Sequence, residues 1–573
     1  MLQPFGRVVI FLSLFTAAIA WSTYFYLDRL ASHPIWFGRA LYFATVGLLA
    51  LTVAKFYHFY RSGDFLPIPI PKKLLTIGIL GASLISAAVF WIQRPDYRIL
   101  QDEAVLTSMS YMMAKHQTAT ALYMSRTIGN ELVPLRPVID KRPPLFPFFV
   151  HLLHLTFGYS PMHPLVVNAF VFWVFLLVVF LTTATAFGIS TAIVAQLLVA
   201  GQPAVFLSAT SAGFDLFSSL LLLLALLSAA RAIGSKRPSS IAFSVLILAC
   251  FCFSRYESIA LAGVIGMGIA WACRGTIYRS LNDQATWIAP LALLMTPLGW
   301  LLLWIRNPAL HEVTNGEPIF SATNFVSHAV ELGHGLFAPP PNYPNLSIFY
   351  GLAVLSGVLV TWKLRQQKQR QARLIVGVTL SAALASLTIT LAHFYGIFSQ
   401  ADALRLFLNG IILFSLLPAW ALGLYSREYP WLKKIQPLFV VLSVSLFFFA
   451  LSSRSASQFF ADIGSTRAFH ESRDFLKGSD KRTTMIVSRF PTNFVILGFS
   501  SIDFETFQRN QLALMESLRL KNLTHIFFFQ NISAGTGSPL DGETLPVELS
   551  LETLSENPVS ARHRLRILEV SAK

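Results

Sequence analysis

The chain has 573 residues, of which 54% are hydrophobic and 13% charged, with a mean hydropathy of +0.59. A soluble protein carries about a quarter charged residues, so a soluble globular chain is excluded. The net charge of +16 would suggest nucleic acid in a soluble protein. Here the Lys and Arg sit in a few short loops between apolar runs, the positive-inside pattern, and no nucleic-acid partner is expected.

Apolar runs of about 20 residues, long enough to cross a bilayer, recur along most of the chain. Spans are expected at 8–27, 37–57, 73–93, 164–183, 188–207, 213–231, 239–254, 257–273, 286–305, 346–363, 374–394, 405–424 and 436–452, about thirteen in all. The first, Val8 to Leu27, is long enough to stay as an anchor rather than leave as a signal peptide. Cys250, Cys252 and Cys273 all fall in or beside apolar segments, which suits packing and implies no disulfide framework.

The basic loops set the orientation. They hold Arg61, Lys72 and Lys73; Arg231, Lys236 and Arg237; Arg274 and Arg279; Lys363, Arg365, Lys368, Arg370 and Arg373; and Arg427, Lys433 and Lys434. With a cytoplasmic N-terminus all of these lie inside, and the reverse orientation would put them all outside. The loops 94–163 and 306–345, and the chain from 453 onward, are then outside.

The outer stretch 94–163 holds the densest chemistry. Asp102 and Glu103 follow the third span and open the apolar pattern AVLTSMSYMM. Adjacent helical residues point about 100° apart, so the two carboxylates do not share one task. They suit a helix N-terminus by charge, or one of them faces a cavity. Lys141 and Arg142 stand just before Pro143 and Pro144, which open a helix through Phe157 that is too short to span. Cations in an outer loop run against the positive-inside bias, which favours a phosphate-binding role over simple solvation. His151 and His154 share one face of that helix and are expected to face headgroups; a metal pair would lack a third ligand.

From Ser453 the composition turns polar. Helical patterns at 458–477 and 504–518 alternate with strand-like runs at 483–488, 524–529 and 565–570. That alternation predicts a small α/β domain over 453–573, outside the membrane, after a membrane domain over 1–452. The Phe527–Phe529 run is expected in the sheet core. The sequons at Asn345, Asn522 and Asn531 carry little information.

The order of these elements resembles that of the GT-C glycosyltransferases, in particular the bacterial aminoarabinose transferase and protein O-mannosyltransferase branch. The residues are QDEAVL at 101–106 and DKRPPLFPFF at 140–149. ATSAGFDLFSSLLLLLALL at 209–227, SRYES at 254–258 and LRLFLNGIILFSLLPAWALG at 404–423 are similar to the family's later elements, and carry Asp215, Arg255 and Arg405. The likeness covers about residues 73–450. The chain departs in having three expected spans, not one, before the acidic loop. It also lacks an Arg in YSPMHPLVVNAF, where His163 and Asn168 stand near the expected place.

The resemblance implies a sugar donor on a polyprenyl phosphate and a glycan, lipid or protein acceptor, beside membrane lipid. Asp102, with Glu103 beside it, would supply the general base. Lys141 first, then Arg142, Arg255 and Arg405, with Asp215 among them, would form the phosphate site. Transfer in one displacement would invert the anomeric centre. No cofactor is implied, the lipid-linked sugar being a co-substrate, and a divalent metal stays open. Plainer roles stay open too: an interfacial Arg255–Glu257 pair, a snorkelling Arg405, and Asp215 as a cap. A flippase would need two related halves, and none is visible in the sequence. A polymerase or ligase of another fold would not need the acidic pair before KRPPL.

Overall fold

The computed structural model describes residues 34–61, 71–98, 100–128, 131–280, 320–337, 355–363, 370–393, 405–452, 464–534, 549–559 and 563–570, with a few single positions between. The expected span at 8–27, most of 286–305 and the first half of 346–363 lie outside the described residues.

Helices α1 (Pro34–Arg61) and α2 (Lys72–Ile92) come first, then α3 (Leu100–His116), a hairpin of β1 (Ala121–Ile128) and β2 (Glu131–Val138), and α4 (Leu145–Phe157). The bundle continues with α5 (His163–Phe187), α6 (Ile189–Ala200), α7 (Pro203–Ala209), α8 (Asp215–Ser235), α9 (Pro238–Cys252), α10 (Ser258–Ser280), α11 (Ala322–Phe337), α12 (Arg370–Ala392), α13 (Leu408–Ser426) and α14 (Pro430–Ser452). Among the described residues seven helices are long and apolar enough to cross a membrane: α1, α2, α5, α8, α10, α13 and α14. The expected span at 188–207 is broken instead. Pro203 has no N–H to continue α6, and α7 leaves it at 77°.

Turn chemistry sets the helix ends. Gly158 after α4 and Gly188 between α5 and α6 have φ of +80° and +95°, where a side chain would be strained. Pro164, Pro203 and Pro238 lie in the first turns of α5, α7 and α9, where a missing N–H costs nothing. Buried amides find backbone partners. Gln196 donates to the Leu176 carbonyl at 3.0 Å, tying α6 to α5, and Gln93 donates to the Leu451 carbonyl at 2.9 Å, tying the end of α2 to the end of α14. Within the stretch read as loop 306–345 lies α11. It packs along α12, and the His328 ring lies 2.9 Å from the Leu391 carbonyl.

The C-terminal segment supplies α15 (Gly464–Phe475), β3 (Thr484–Ser488), α16 (Thr492–Val495), β4 (Ser500–Ile502), α17 (Phe504–Arg519), β5 (His525–Ser533), β6 (Leu551–Pro558) and β7 (His563–Val570). Its strands and the β1–β2 hairpin form one seven-stranded sheet in the order β2-β1-β4-β3-β5-β7-β6. β3 runs parallel to β4 and β5, and the other pairs are antiparallel. Strand alternation buries both faces. Met485, Val487 and Phe528 pack with Phe507 of α17, while Ile486, Phe527 and Phe529 pack with Phe494 and Leu476. The Phe527–Phe529 run is sheet core, as expected. The hairpin was not legible as strands. Its prolines and charges suit the sheet edge that β2 occupies.

Candidate active site

Helix ends from distant parts of the chain meet beside this sheet. Asp102 and Glu103 lie in the first turn of α3, Asp215 in the first turn of α8, and Arg255 and Glu257 between α9 and α10. Asp140, Lys141 and Arg142 come just before α4, and Arg405 just before α13. Helix α8 leads away from this point to Lys236 and Arg237, and α9 returns to it. Helices α10 and α13 lead away again, to Arg279 and Arg427. The basic loops and this cluster of charges therefore lie at opposite helix ends.

The charges alternate in one chain of ion pairs. Asp140 accepts from Arg142 Nη1 with both oxygens at 2.8 Å, and Arg142 Nη2 donates to Asp102 Oδ1. Asp102 Oδ2 accepts from Arg405 Nη2 at 3.1 Å, and Arg405 Nε donates to Asp215 Oδ2 at 3.1 Å. Asp215 Oδ1 accepts from Arg255 Nη1, and the rest of the Arg255 fork donates to Glu257 at 3.0 Å. Five of the residues singled out by sequence thus come together: Asp102, Arg142, Asp215, Arg255 and Arg405. Arg255 is more than an interfacial partner of Glu257, Arg405 does not snorkel to headgroups, and Asp215 spends its oxygens on arginines rather than on a cap. Asp140 was missed as a member, its only signal being an acid within two residues of a singled-out arginine, and Glu257 was foreseen only as a partner of Arg255.

Burial favours the neutral form of Asp102, but the charges of Arg142, Arg405 and Lys141 outweigh it and hold its carboxyl well below the usual carboxylate range. Arg142 is likewise buried, yet Asp102 and Asp140 push its guanidinium above its ordinary value. Lys141 bears on Asp102 through this charge and sits half-buried beside the network.

Glu103 has a different place. Its side chain is fully buried, and its oxygens accept from the Arg98 N–H at 2.7 Å and the Ala212 N–H at 3.1 Å. Asn168 donates to the carbonyls of Ser211 and Gly213 at 2.7 and 2.6 Å. Glu103 and Asn168 together grip the loop that delivers Asp215. Helix α15 grips the strand of chain before α3. Arg473 Nη1 donates to Asp96 at 3.0 Å, Thr466 donates to the Arg98 carbonyl at 2.7 Å, and Phe469 stands edge-on to Tyr97. His470 and Arg473 outweigh burial and hold the Asp96 carboxyl well below its usual range.

The histidines of α4 do not face headgroups. His151 meets the Tyr42 hydroxyl at 3.2 Å, and His154 lies between Ser110 Oγ at 2.9 Å and His163 Nδ1 at 2.7 Å. Both are buried, because α4 packs its lower face on α3 and α5 rather than lying free. Burial, then the neighbouring His163, lowers His154 to about 3, so its ring is neutral near pH 7. Among the described residues no three His, Cys, Asp or Glu side chains group as metal ligands.

No protein-family model and no curated protein sequence matches the chain. Solved structures do. ArnT from Cupriavidus metallidurans bound to undecaprenyl phosphate superposes with a TM-score of 0.54 at 12% identity, over 85% of this chain and 97% of that one. Its apo state gives 0.52 at 12% identity, over 86% and 98%. The chain has the GT-C fold.

In a GT-C fold spread over the chain in this way, the network residues come from five separate stretches.

Proposed function

We propose that the protein is a membrane glycosyltransferase that moves a sugar from a polyprenyl-phosphate donor to an acceptor hydroxyl, with inversion. The observation that carries this reading is the position of Asp102, reachable from outside the bundle and flanked by two arginine forks. The shared fold with ArnT, whose structure holds undecaprenyl phosphate, supports the donor class.

In the displacement the acceptor oxygen attacks the anomeric carbon from the face opposite the phosphate. The bond to the phosphate oxygen breaks, and the lipid phosphate leaves with its electron pair. Asp102 takes the hydroxyl proton as the new bond forms. Lys141, Arg142, Arg405 and Arg255 carry the charge that builds on the phosphate, with Asp215 fixing Arg405 and Arg255 in place. Glu103 is already committed to two backbone amides, which favours Asp102 as the base. Lipid-linked sugar is the co-substrate, and no cofactor takes part in the proposed step. The acceptor class stays broad: glycan, lipid or protein.

The test is transfer by the purified protein. A radiolabelled polyprenyl-phosphate sugar should lose its label to a hydroxyl acceptor and leave polyprenyl phosphate. Movement of intact donor across a proteoliposome membrane, without cleavage, would make the protein a flippase instead. Sidedness is tested separately. We place the sheet, the cluster of charges and 453–573 outside the inner (plasma) membrane, and the N-terminus in the cytoplasm. Cysteine at Leu512, an exposed position on α17, should label with an impermeant reagent in intact cells, and cysteine at Lys236 should not. Labelling at Lys236 alone would invert the topology.

A further inference from the structure

We propose that the donor phosphate binds by taking the place of the Asp102 carboxylate between Arg142 and Arg405, so that donor binding itself releases the base. The inference rests on the donor class proposed above and adds how that site is regulated.

Each of the two guanidiniums is anchored at one end. Arg142 is fixed through Nη1 by both oxygens of Asp140, and Arg405 is fixed through Nε by Asp215. Each then offers its Nη2 group to Asp102, one to each carboxylate oxygen. Two anchored N–H groups thus converge on one planar anion. A phosphate presents the same pair of oxygens to such forks and is a strong ligand for them.

Charge explains why the phosphate must displace rather than add. The network holds four carboxylates, Asp102, Asp140, Asp215 and Glu257, and three guanidiniums, Arg142, Arg255 and Arg405. Lys141 brings the count to balance. An anion arriving at a balanced cluster gains no net attraction unless one carboxylate gives up its partners. Exposure says which one. The Asp102 side chain is 27% exposed, against 16% for Asp140, 11% for Glu257 and 1% for Asp215. Of the four, Asp102 has the readiest path to water when it leaves.

The exchange also sets timing. While Asp102 is held by two guanidiniums and Lys141, it is a weak base, its carboxyl held well below the usual range. Once the phosphate takes those partners, the carboxylate becomes more basic just when a donor is in place. The arginines stay on the phosphate and are there to hold its charge as the sugar leaves.

The experiment measures polyprenyl phosphate binding to the full chain in nanodiscs. Wild type is compared with Asp102→Asn, Asp102→Ala and Asp140→Asn, each checked for an unchanged unfolding midpoint. Removing the competing carboxylate should tighten binding in both Asp102 variants by roughly tenfold or more. Asp140→Asn should not gain as much, because it frees an anchor rather than the exchange position. Equal gains in Asp102 and Asp140 variants would reduce the effect to general charge and overturn the exchange. Unchanged or weaker binding in both Asp102 variants would also overturn it. Should wild type fail to bind polyprenyl phosphate at all, the donor class itself falls, a result separable from the other two.

Discussion

Asp102→Asn should leave a folded, membrane-inserted protein that binds donor and does not turn over. The amide keeps the shape of the carboxylate but cannot accept the acceptor's proton, and loss of a general base costs about 10²–10⁴ in rate. Glu103→Gln is the informative contrast. Its carboxylate accepts the N–H groups of Arg98 and Ala212, so a glutamine turns one donor toward another donor. That leaves a buried group unsatisfied, at a cost of ~1–3 kcal/mol. The Gln variant should therefore unfold at lower temperature while each folded molecule retains most of its turnover. Steady-state rates with a lipid-linked donor, normalised to folded protein, separate the two. A dead Glu103→Gln beside an active Asp102→Asn would reverse the roles, and two active variants would end the general-base reading.

The contrast also shows what sequence could and could not give. Asp102 and Glu103 are neighbours of like charge, and composition treats them alike. Their position on α3 separates them, because a turn of about 100° sends one toward the arginines and the other into the loop before α8. That loop is about a hundred residues away in sequence, and nothing local announces the meeting. The arginines were legible because a cation beside a membrane segment is costly to bury and therefore informative. Asp140 was not, because an acid beside an arginine is the commonest surface pattern there is, and Glu257 was legible only as the partner of Arg255. Asn168 stood out only as a residue near the place of an expected Arg; that it would hold the loop before α8 was not legible, because one amide in an apolar run has no period to break.

For the fold, period and length sufficed where spans were continuous. The expected 73–93, 164–183, 213–231 and 436–452 fall on α2, α5, α8 and α14. They missed the bend at 188–207, where apolar content continued through a break at Pro203. They gave no strand at 121–138, where β1 and β2 lie. That hairpin becomes strand only because β4 offers it an open edge more than three hundred residues later. The expectation of helix and strand alternation after 453 was made from hydrophobic period alone, and β3, β5 and β7 lie where it put them. Its consequence for the site was not foreseen. Sheet and α15 together hold both ends of the stretch that carries Asp102, through the hairpin on one side and the Asp96–Arg473 pair on the other.

Arg405→Met is expected to be the most damaging single change to the site as a structure. Arg405 bridges Asp102 and Asp215 and is 8% exposed, while Asp215 is 1% exposed. Taking one partner from a buried pair leaves an uncompensated charge, at a cost of about 3–5 kcal/mol. Arg255 still reaches Asp215, which trims that loss but leaves one oxygen without its cation. Arg405→Lys keeps the charge and tests the geometry. One ammonium cannot hold Asp215 through Nε and Asp102 through Nη2 at once, so Lys should fold yet lose about 10- to 100-fold in turnover. The double variant Arg405→Met with Asp215→Asn removes both charges of the inner pair. It should regain most of the unfolding temperature and none of the activity, because stability needs only the absence of a lone charge, whereas the reaction needs a cation at that place. Thermal unfolding and turnover measured on the same preparations decide it. An Arg405→Met protein that melts and works like wild type would return Arg405 to an ordinary residue at a helix end. A double variant that recovers activity with stability would show that the bridge serves folding alone.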